Sequence, residues 1–231
     1  MRKISKFRKN IFIYSAVLIL IIIGFSYFVF SNQNVKPSFP SSDIEPMMVP
    51  SLTDHYKWKS NSIYTIVNYF SMDCPSCRRG DEMENKFKED YQKHFNLIYR
   101  HSPLPDIQPE SAGRAAIAEC VFEQSGDEGM FNFISDFYKS YNDLRKDNDW
   151  VLNIADKYVN DTKTMRECSV SERMKEKISE DKKLSLAYGV NGTPTLGVFK
   201  NGILEVRFDT INDQFMKRIM DSVKNIHLSG N

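Results

Sequence analysis

The sequence predicts an α/β domain in which a β-α-β unit and a β-β-α unit share a small mixed sheet. A helical subdomain is inserted between the two units, and an apolar segment precedes them. Three observations carry this prediction. Ile63 to Phe70, apolar or aromatic on both faces, passes directly into Cys74-Pro75-Ser76-Cys77 and an amphipathic helix. Strand signals then vanish from Pro109 to Tyr188. They return at Thr195 to Lys200 and Ile203 to Phe208, joined by Asn201-Gly202.

Taken in order, Met1 to Asn10 holds five basic residues (Arg2, Lys3, Lys6, Arg8, Lys9) and no acidic one, and Ile11 to Phe30 is twenty residues without a charge. As a helix, such a run crosses a hydrocarbon core of about 30 Å, and a buried soluble helix is rarely apolar all round for this length. The basic flank, residues 1–10, predicts a cytoplasmic N-terminus, a single-pass helix in the inner (plasma) membrane and an extracytoplasmic, periplasmic body. At 11–30 the segment exceeds the roughly 7–15 residues of a cleaved signal, so an uncleaved signal-anchor is expected. Val29-Phe30-Ser31 leaves a cleavage site open, which would make the body soluble in the periplasm. Residues 31–50, with Pro37, Pro40, Pro46 and Pro50 and no apolar periodicity, read as a linker ahead of the domain at 51–231.

Lys and Arg number 31 against 30 Asp and Glu, and without the five N-terminal cations the remainder carries a net charge of −4. That excludes a basic nucleic-acid-binding body. A chain 26% charged and 13% aromatic is not a disordered one either.

The first strand, Ile63 to Phe70, suits the centre of a sheet because both its faces are apolar. Met83, Phe87 and Tyr91 then fall on one helical stripe, with Glu82, Glu84, Glu89 and Asp90 read as a solvated face. Phe95 to Tyr99 reads as a second strand, stopped by Pro103 and Pro105. The insertion, about 109–188, divides into four helical stretches. The first, around Ala112 to Cys120, ends near Gly126; the second carries Phe131, Phe133, Phe137, Tyr138 and Tyr141, read as core or in part as the lining of a substrate groove. Val151 to Tyr158 and Met174 to Ala187 mark the others. Asn201-Gly202 is a strong hairpin signal because both positions tolerate positive φ. Phe215, Ile219 and Val223 form the stripe of a closing helix.

The four cysteines narrow the chemistry. Covalent haem attachment needs His after the second Cys of CxxC, and Arg78 stands there. A zinc site wants a second Cys or His pair nearby, and none is present, so no metal is expected. A purely structural bridge three residues apart would constrain the unfolded chain little. Redox chemistry remains. Between strand and helix, Cys74 sits at the positive end of a helix dipole, which favours its thiolate, and Pro75 suits the first helical turn. Cys74 is then the exposed nucleophile and Cys77, one turn inward, the resolving thiol.

Tyr69-Phe70-Ser71-Met72-Asp73-Cys74-Pro75-Ser76-Cys77, with Val190-Asn191-Gly192-Thr193-Pro194-Thr195 downstream, resembles the DsbA-like branch of the thioredoxin superfamily. Arg100-His101-Ser102-Pro103-Leu104, the stretch Ala115 to Gly126, and Glu167-Cys168 echo it further. The resemblance implies a thioredoxin fold interrupted by a helical domain, over roughly Ile63 to Val223. It also implies a cis peptide before Pro194, beside Cys74, where the Thr193 backbone pairs with an extended substrate segment. Residue by residue alone, Pro194 reads as an ordinary trans proline opening an edge strand. Some relatives carry a structural disulfide in the helical domain, which makes Cys120 and Cys168 a candidate pair; two buried free thiols are the alternative.

Two departures from the strongest oxidants of that family are expected to matter. Ser76 stands where those oxidants carry histidine, and its hydroxyl can donate to a thiolate but brings no positive charge. Asp73 places a negative charge beside Cys74, which opposes thiolate formation. Both imply a less extreme pKa and a less oxidising couple. Of the weaker candidates, His101 follows a strand and reads as a packing residue rather than a site residue.

The resulting expectation is a monomeric, membrane-tethered protein thiol:disulfide oxidoreductase of bacterial type that forms disulfides in exported proteins through Cys74 and Cys77. No cofactor is needed, and the resemblance implies a quinone-linked membrane redox partner. The rivals are a reductase or isomerase, the latter usually helped by a dimerisation domain not visible before Ile63, and a non-catalytic chaperone or binding module for unfolded chains.

Overall fold

A computed structural model describes residues 54–104, 110–141, 147–209 and 213–229. The expected basic flank, membrane anchor and linker over 1–50 lie outside these residues. Among the described residues, no helix is long and apolar enough to cross a membrane.

The elements follow as β1 (His55–Trp58), β2 (Tyr64–Phe70), α1 (Pro75–Tyr91), β3 (Asn96–His101), α2 (Ser111–Lys139), α3 (Asn148–Ala155), a 3-10 turn (Asp156–Tyr158), α4 (Thr162–Ser169), α5 (Glu172–Ala187), β4 (Thr195–Lys200), β5 (Ile203–Asp209) and α6 (Asp213–Ser229). The strands form one five-stranded sheet in the order β1-β3-β2-β4-β5. Strand β2 is central and parallel to β3, with Phe70 opposite His101, and antiparallel to β4, with Tyr69 opposite Thr195. This register sets the C-terminal end of β2, where the cysteine motif begins, beside the start of β4, where the Thr193-Pro194 turn ends. The β4–β5 hairpin turns at Asn201 (φ 50°) and Gly202 (φ 78°), both in the left-handed region that the sequence signal requires.

Sequence reasoning missed β1 and α4. His-Tyr-Lys-Trp is too short and too polar to announce a strand, and its identity comes from antiparallel pairing with β3. Helix α4 is polar but begins at Asp161, whose side chain caps it by accepting from the Thr164 N–H.

The inserted helices do not form a separate core. Phe133, Phe137, Tyr138 and Met174 belong to one apolar cluster with Ile66, Phe70, Leu97 and Tyr99 of the sheet and Met220 and Val223 of α6. The opposite face carries a smaller cluster of Val67, Tyr69, Ile98, Phe199, Tyr188 and Val190. On this face, the chain leaving α5 supplies Tyr188 and Val190.

Helix α2 reverses at Gly126 (φ 65°, ψ −166°), a conformation glycine alone adopts readily. The guanidinium of Arg114 lies 5.6 Å from the Phe137 ring centre. In a straight helix these residues would stand about 34 Å apart, so the two halves of α2 fold back on each other.

Candidate active site

Helix α1 begins at its nucleophile. Cys74 is the N-cap (φ −79°, ψ 117°), and its sulfur accepts from the Cys77 N–H at 3.4 Å, with Pro75 in the first turn. Cys74 was expected to be exposed but is buried, at 7% exposure against 2% for Cys77, because the Thr193 turn closes over its sulfur; Pro75 beside them is exposed. Both cysteines are free thiols, so the structure describes the dithiol state. From the far side, the Thr193-Pro194 peptide is cis, and Cys74 Sγ donates to the Thr193 carbonyl at 3.1 Å.

The two thiols are pushed apart electrostatically. A hydrogen bond from the Cys77 thiol lowers the Cys74 pKa most; burial opposes it, and Thr193 and the N–H groups of Cys77 and Ser76 lower it further, to about 6. Burial, together with proximity to Cys74, pushes Cys77 well above its ordinary value. One thiol is therefore a thiolate at neutral pH and its neighbour a protonated donor.

The strand–motif loop is held by the insertion. Tyr138 Oη donates to the Ser71 carbonyl at 3.3 Å and Tyr141 Oη to the Asp73 carbonyl at 3.0 Å, while Arg114 forms an ion pair with the Asp73 carboxylate. Asp73 and Arg114 are both buried, 4% and 3% exposed. This corrects the expectation that Asp73 acts as an uncompensated negative charge beside Cys74. Ser76 differs as well: its hydroxyl accepts from Arg79 Nη2 at 2.9 Å.

A second correction concerns the acidic face of α1. Glu82, Glu89 and Asp90 are solvated, but Glu84 is fully buried. Lys57 of β1 reaches under the helix to Asp81 at 2.6 Å and Glu84 at 2.7 Å, and Tyr99 also donates to Glu84. The missed strand supplies the cation, which explains why periodicity alone misplaced Glu84. Ser135, on the second half of α2, donates to Asp81 at 3.0 Å and ties the insertion to the same network.

Cys120 and Cys168 are bonded, with Cα atoms 6.0 Å apart, joining the first half of α2 to α4. His101 packs 4.8 Å from the Phe70 ring and 3.4 Å from Glu119, and burial pushes its pKa down to about 3, so it is neutral. Phe131, Phe133, Phe137 and Tyr138 are buried core. An apolar groove is lined instead by Pro103, Ala112, Ala116, Val170 and Ile178. A neighbouring depression shares Pro103 and Lys182 with it and runs to Val190 and Asn191, two residues before Thr193.

Missed altogether was Arg114. A signal existed: it is the lone cation in Ser-Ala-Gly-Arg-Ala-Ala-Ile-Ala, a stretch whose small residues pack against neighbouring elements. A charge there must be buried with a partner.

A capping thiolate, a shielded second thiol and a cis-proline turn, carried on a five-stranded mixed sheet with a helical insertion, define a DsbA-like thioredoxin-fold protein with a dithiol site. The family model described as Thioredoxin matches residues 51–213, and the chain belongs to the thioredoxin family. Among solved structures, the fold is similar to alpha-DsbA1 of Wolbachia pipientis (TM-score 0.68, 19% identity, 80% of this chain and 98% of that one). It is also similar to oxidised BdbD of Bacillus subtilis (TM-score 0.61, 16% identity, 77% and 96% covered). DsbA2 of Pseudomonas aeruginosa gives a TM-score of 0.57 at 18% identity, with 76% and 96% covered. A curated protein of Salinispora tropica, Na(+)/H(+) antiporter NhaA 3, is 29% identical over 164 residues, 70% of this chain. The chain spans about a quarter (24%) of that relative's length, so nothing about ion transport carries over.

Proposed function

We propose that this chain is a protein-disulfide oxidoreductase that acts as a disulfide donor to exported proteins, from a membrane-tethered position outside the cytoplasm. The observation that carries the reading is the pairing of an acidic Cys74, at the helix N-terminus beside exposed Pro75, with a more deeply buried, proton-holding Cys77. In the oxidised enzyme, a substrate thiolate attacks Cys74 Sγ of the Cys74–Cys77 disulfide. The S–S bond breaks, and Cys77 leaves and takes up a proton, as its burial favours. A second substrate thiolate then attacks the substrate sulfur of the mixed disulfide and expels Cys74. The substrate loses two electrons and leaves as a disulfide; the enzyme gains them and becomes a dithiol. A thiol of low proton affinity is a good leaving group and stabilises the reduced enzyme, both of which favour this direction.

The thiol of Cys74 donates to the Thr193 carbonyl, a bond the thiolate cannot make. Deprotonation therefore frees that carbonyl to accept from the backbone of an extended substrate, and the adjoining groove offers its side chains an apolar surface. Return to the oxidised state falls to a membrane redox partner, quinone-linked by family resemblance. The twenty uncharged, mostly apolar residues at 11–30 support the tether.

The test is the reduction potential of the Cys74–Cys77 pair in the full-length chain, equilibrated in graded glutathione buffers. A value of about −120 to −180 mV supports disulfide donation, and one near −270 mV makes the protein a reductase. Failure of Cys74 to exchange with glutathione at all would favour a non-catalytic binding module.

A further inference from the structure

We infer that Arg114 is a positioning residue for the nucleophile: by holding the Asp73 carboxylate, it cancels the one negative charge built into the chain next to Cys74. The inference rests on Cys74 being the reactive thiol, as proposed above, and names what the helical insertion contributes to it.

Asp73 precedes Cys74, so their Cα atoms lie about 3.8 Å apart. Both Asp73 and its partner are almost completely buried, where charges are weakly screened. A bare carboxylate at that place would raise the energy of a Cys74 thiolate. The guanidinium of Arg114, which proteins do not deprotonate, removes that repulsion. It comes from the first half of α2, and the return of the second half at Gly126 places the Phe137 ring against it at 5.6 Å. The insertion thus delivers a cation to a loop that has none of its own between Ser71 and Cys77.

The other charged or titratable groups around the loop do not duplicate this. On α1, Cys77 is buried, Arg78 lies over the Tyr141 ring at 5.5 Å, and Arg79 donates to the Ser76 hydroxyl at 2.9 Å. On the second half of α2, Tyr138 is pushed up by burial and stays neutral, and Tyr141 Oη is spent on the Asp73 carbonyl. From the β4 side, Thr193 contributes only uncharged groups, its carbonyl and its side chain.

The pair makes a signed prediction that a merely structural contact does not. Removing the cation (Arg114→Met) leaves the carboxylate and raises the proton affinity of Cys74. Removing the carboxylate (Asp73→Asn) leaves the cation and lowers it. Removing both restores it. At an effective dielectric of about 20, one uncompensated charge within several ångströms corresponds to a change in proton affinity of at least about tenfold.

The readout is the pH dependence of iodoacetamide alkylation at Cys74, followed by peptide mass spectrometry in the full-length chain. It needs no enzymatic activity, so it remains informative if the glutathione experiment fails. We expect the midpoint to shift up by at least about one pH unit in Arg114→Met, to shift down in Asp73→Asn, and to return in the double variant. Unchanged midpoints, or shifts of the same sign in both single variants, overturn the inference. Should Arg114→Met not fold, Asp73→Asn decides alone: a lower midpoint supports it, an equal or higher one overturns it.

Discussion

The sulfur of Cys74 lies 3.1 Å from the carbonyl oxygen of Thr193, 119 residues further along the chain. The contact joins a helix cap on one side of the insertion to the cis-proline turn on the other. The parallel β2–β3 and antiparallel β2–β4 ladders produce it, because they bring the end of β2 and the start of β4 side by side. The proton state of Cys74 is set first by the local hydrogen bond from Cys77, and Thr193 adds to it from a segment that no local reading contains.

Division of labour between the thiols predicts opposite variants. Cys74→Ser abolishes exchange with glutathione and with protein thiols. Cys77→Ser keeps Cys74 as the nucleophile and accumulates mixed disulfides with disulfide-bearing substrates, because the resolving thiol is gone. Non-reducing gels of the two variants incubated with such a substrate check this.

The stability of the protein depends on its redox state and on pH. In the dithiol, Cys74 is held near 6 against an ordinary value of 9.0. A depressed pKa stabilises the fold above the unfolded value, and the contribution fades as pH falls toward the folded one. The oxidised form has no thiolate and lacks the contribution. Urea unfolding of both forms between pH 8 and pH 5.5 is expected to show the reduced form's advantage shrinking steadily toward the acid end. An advantage independent of pH contradicts the depressed Cys74.

Lys57 is buried between two carboxylates, at 2.6 Å from Asp81 and 2.7 Å from Glu84. Lys57→Met leaves both without their cation and is expected to cost about 3–5 kcal/mol, the usual consequence of breaking a buried pair on one side. Chemical denaturation of the oxidised form measures it, and a loss below about 1 kcal/mol means the pair behaves as a surface ion pair would.

The Cys120–Cys168 bond closes a loop over a sequence separation of 48. Replacing both with Ala is expected to lower stability by on the order of 4 kcal/mol in the chain-entropy account. The alkylation midpoint of Cys74 should stay unchanged. Unfolding curves and the alkylation profile of the same double variant report the two effects separately.

By itself the sequence determined the elements whose signals are local: the apolar alternation of β2, the Asn201-Gly202 turn, the break at Gly126 and the helix that starts at Cys74. Each depends on backbone preferences or on spacing within a few residues, so no distant partner is needed to read it. The tertiary structure decided what distant partners decide. Strand β1 exists because β3 accepts it, and it carries the Lys57 that turns Glu84 from a surface residue into a buried one. Asp73, one residue from the nucleophile, read as an opposing charge until the insertion brought Arg114 against it. Charge acts through space over several ångströms, and the low dielectric of the interior leaves that action weakly screened, so its sign at Cys74 follows from packing rather than from chain order.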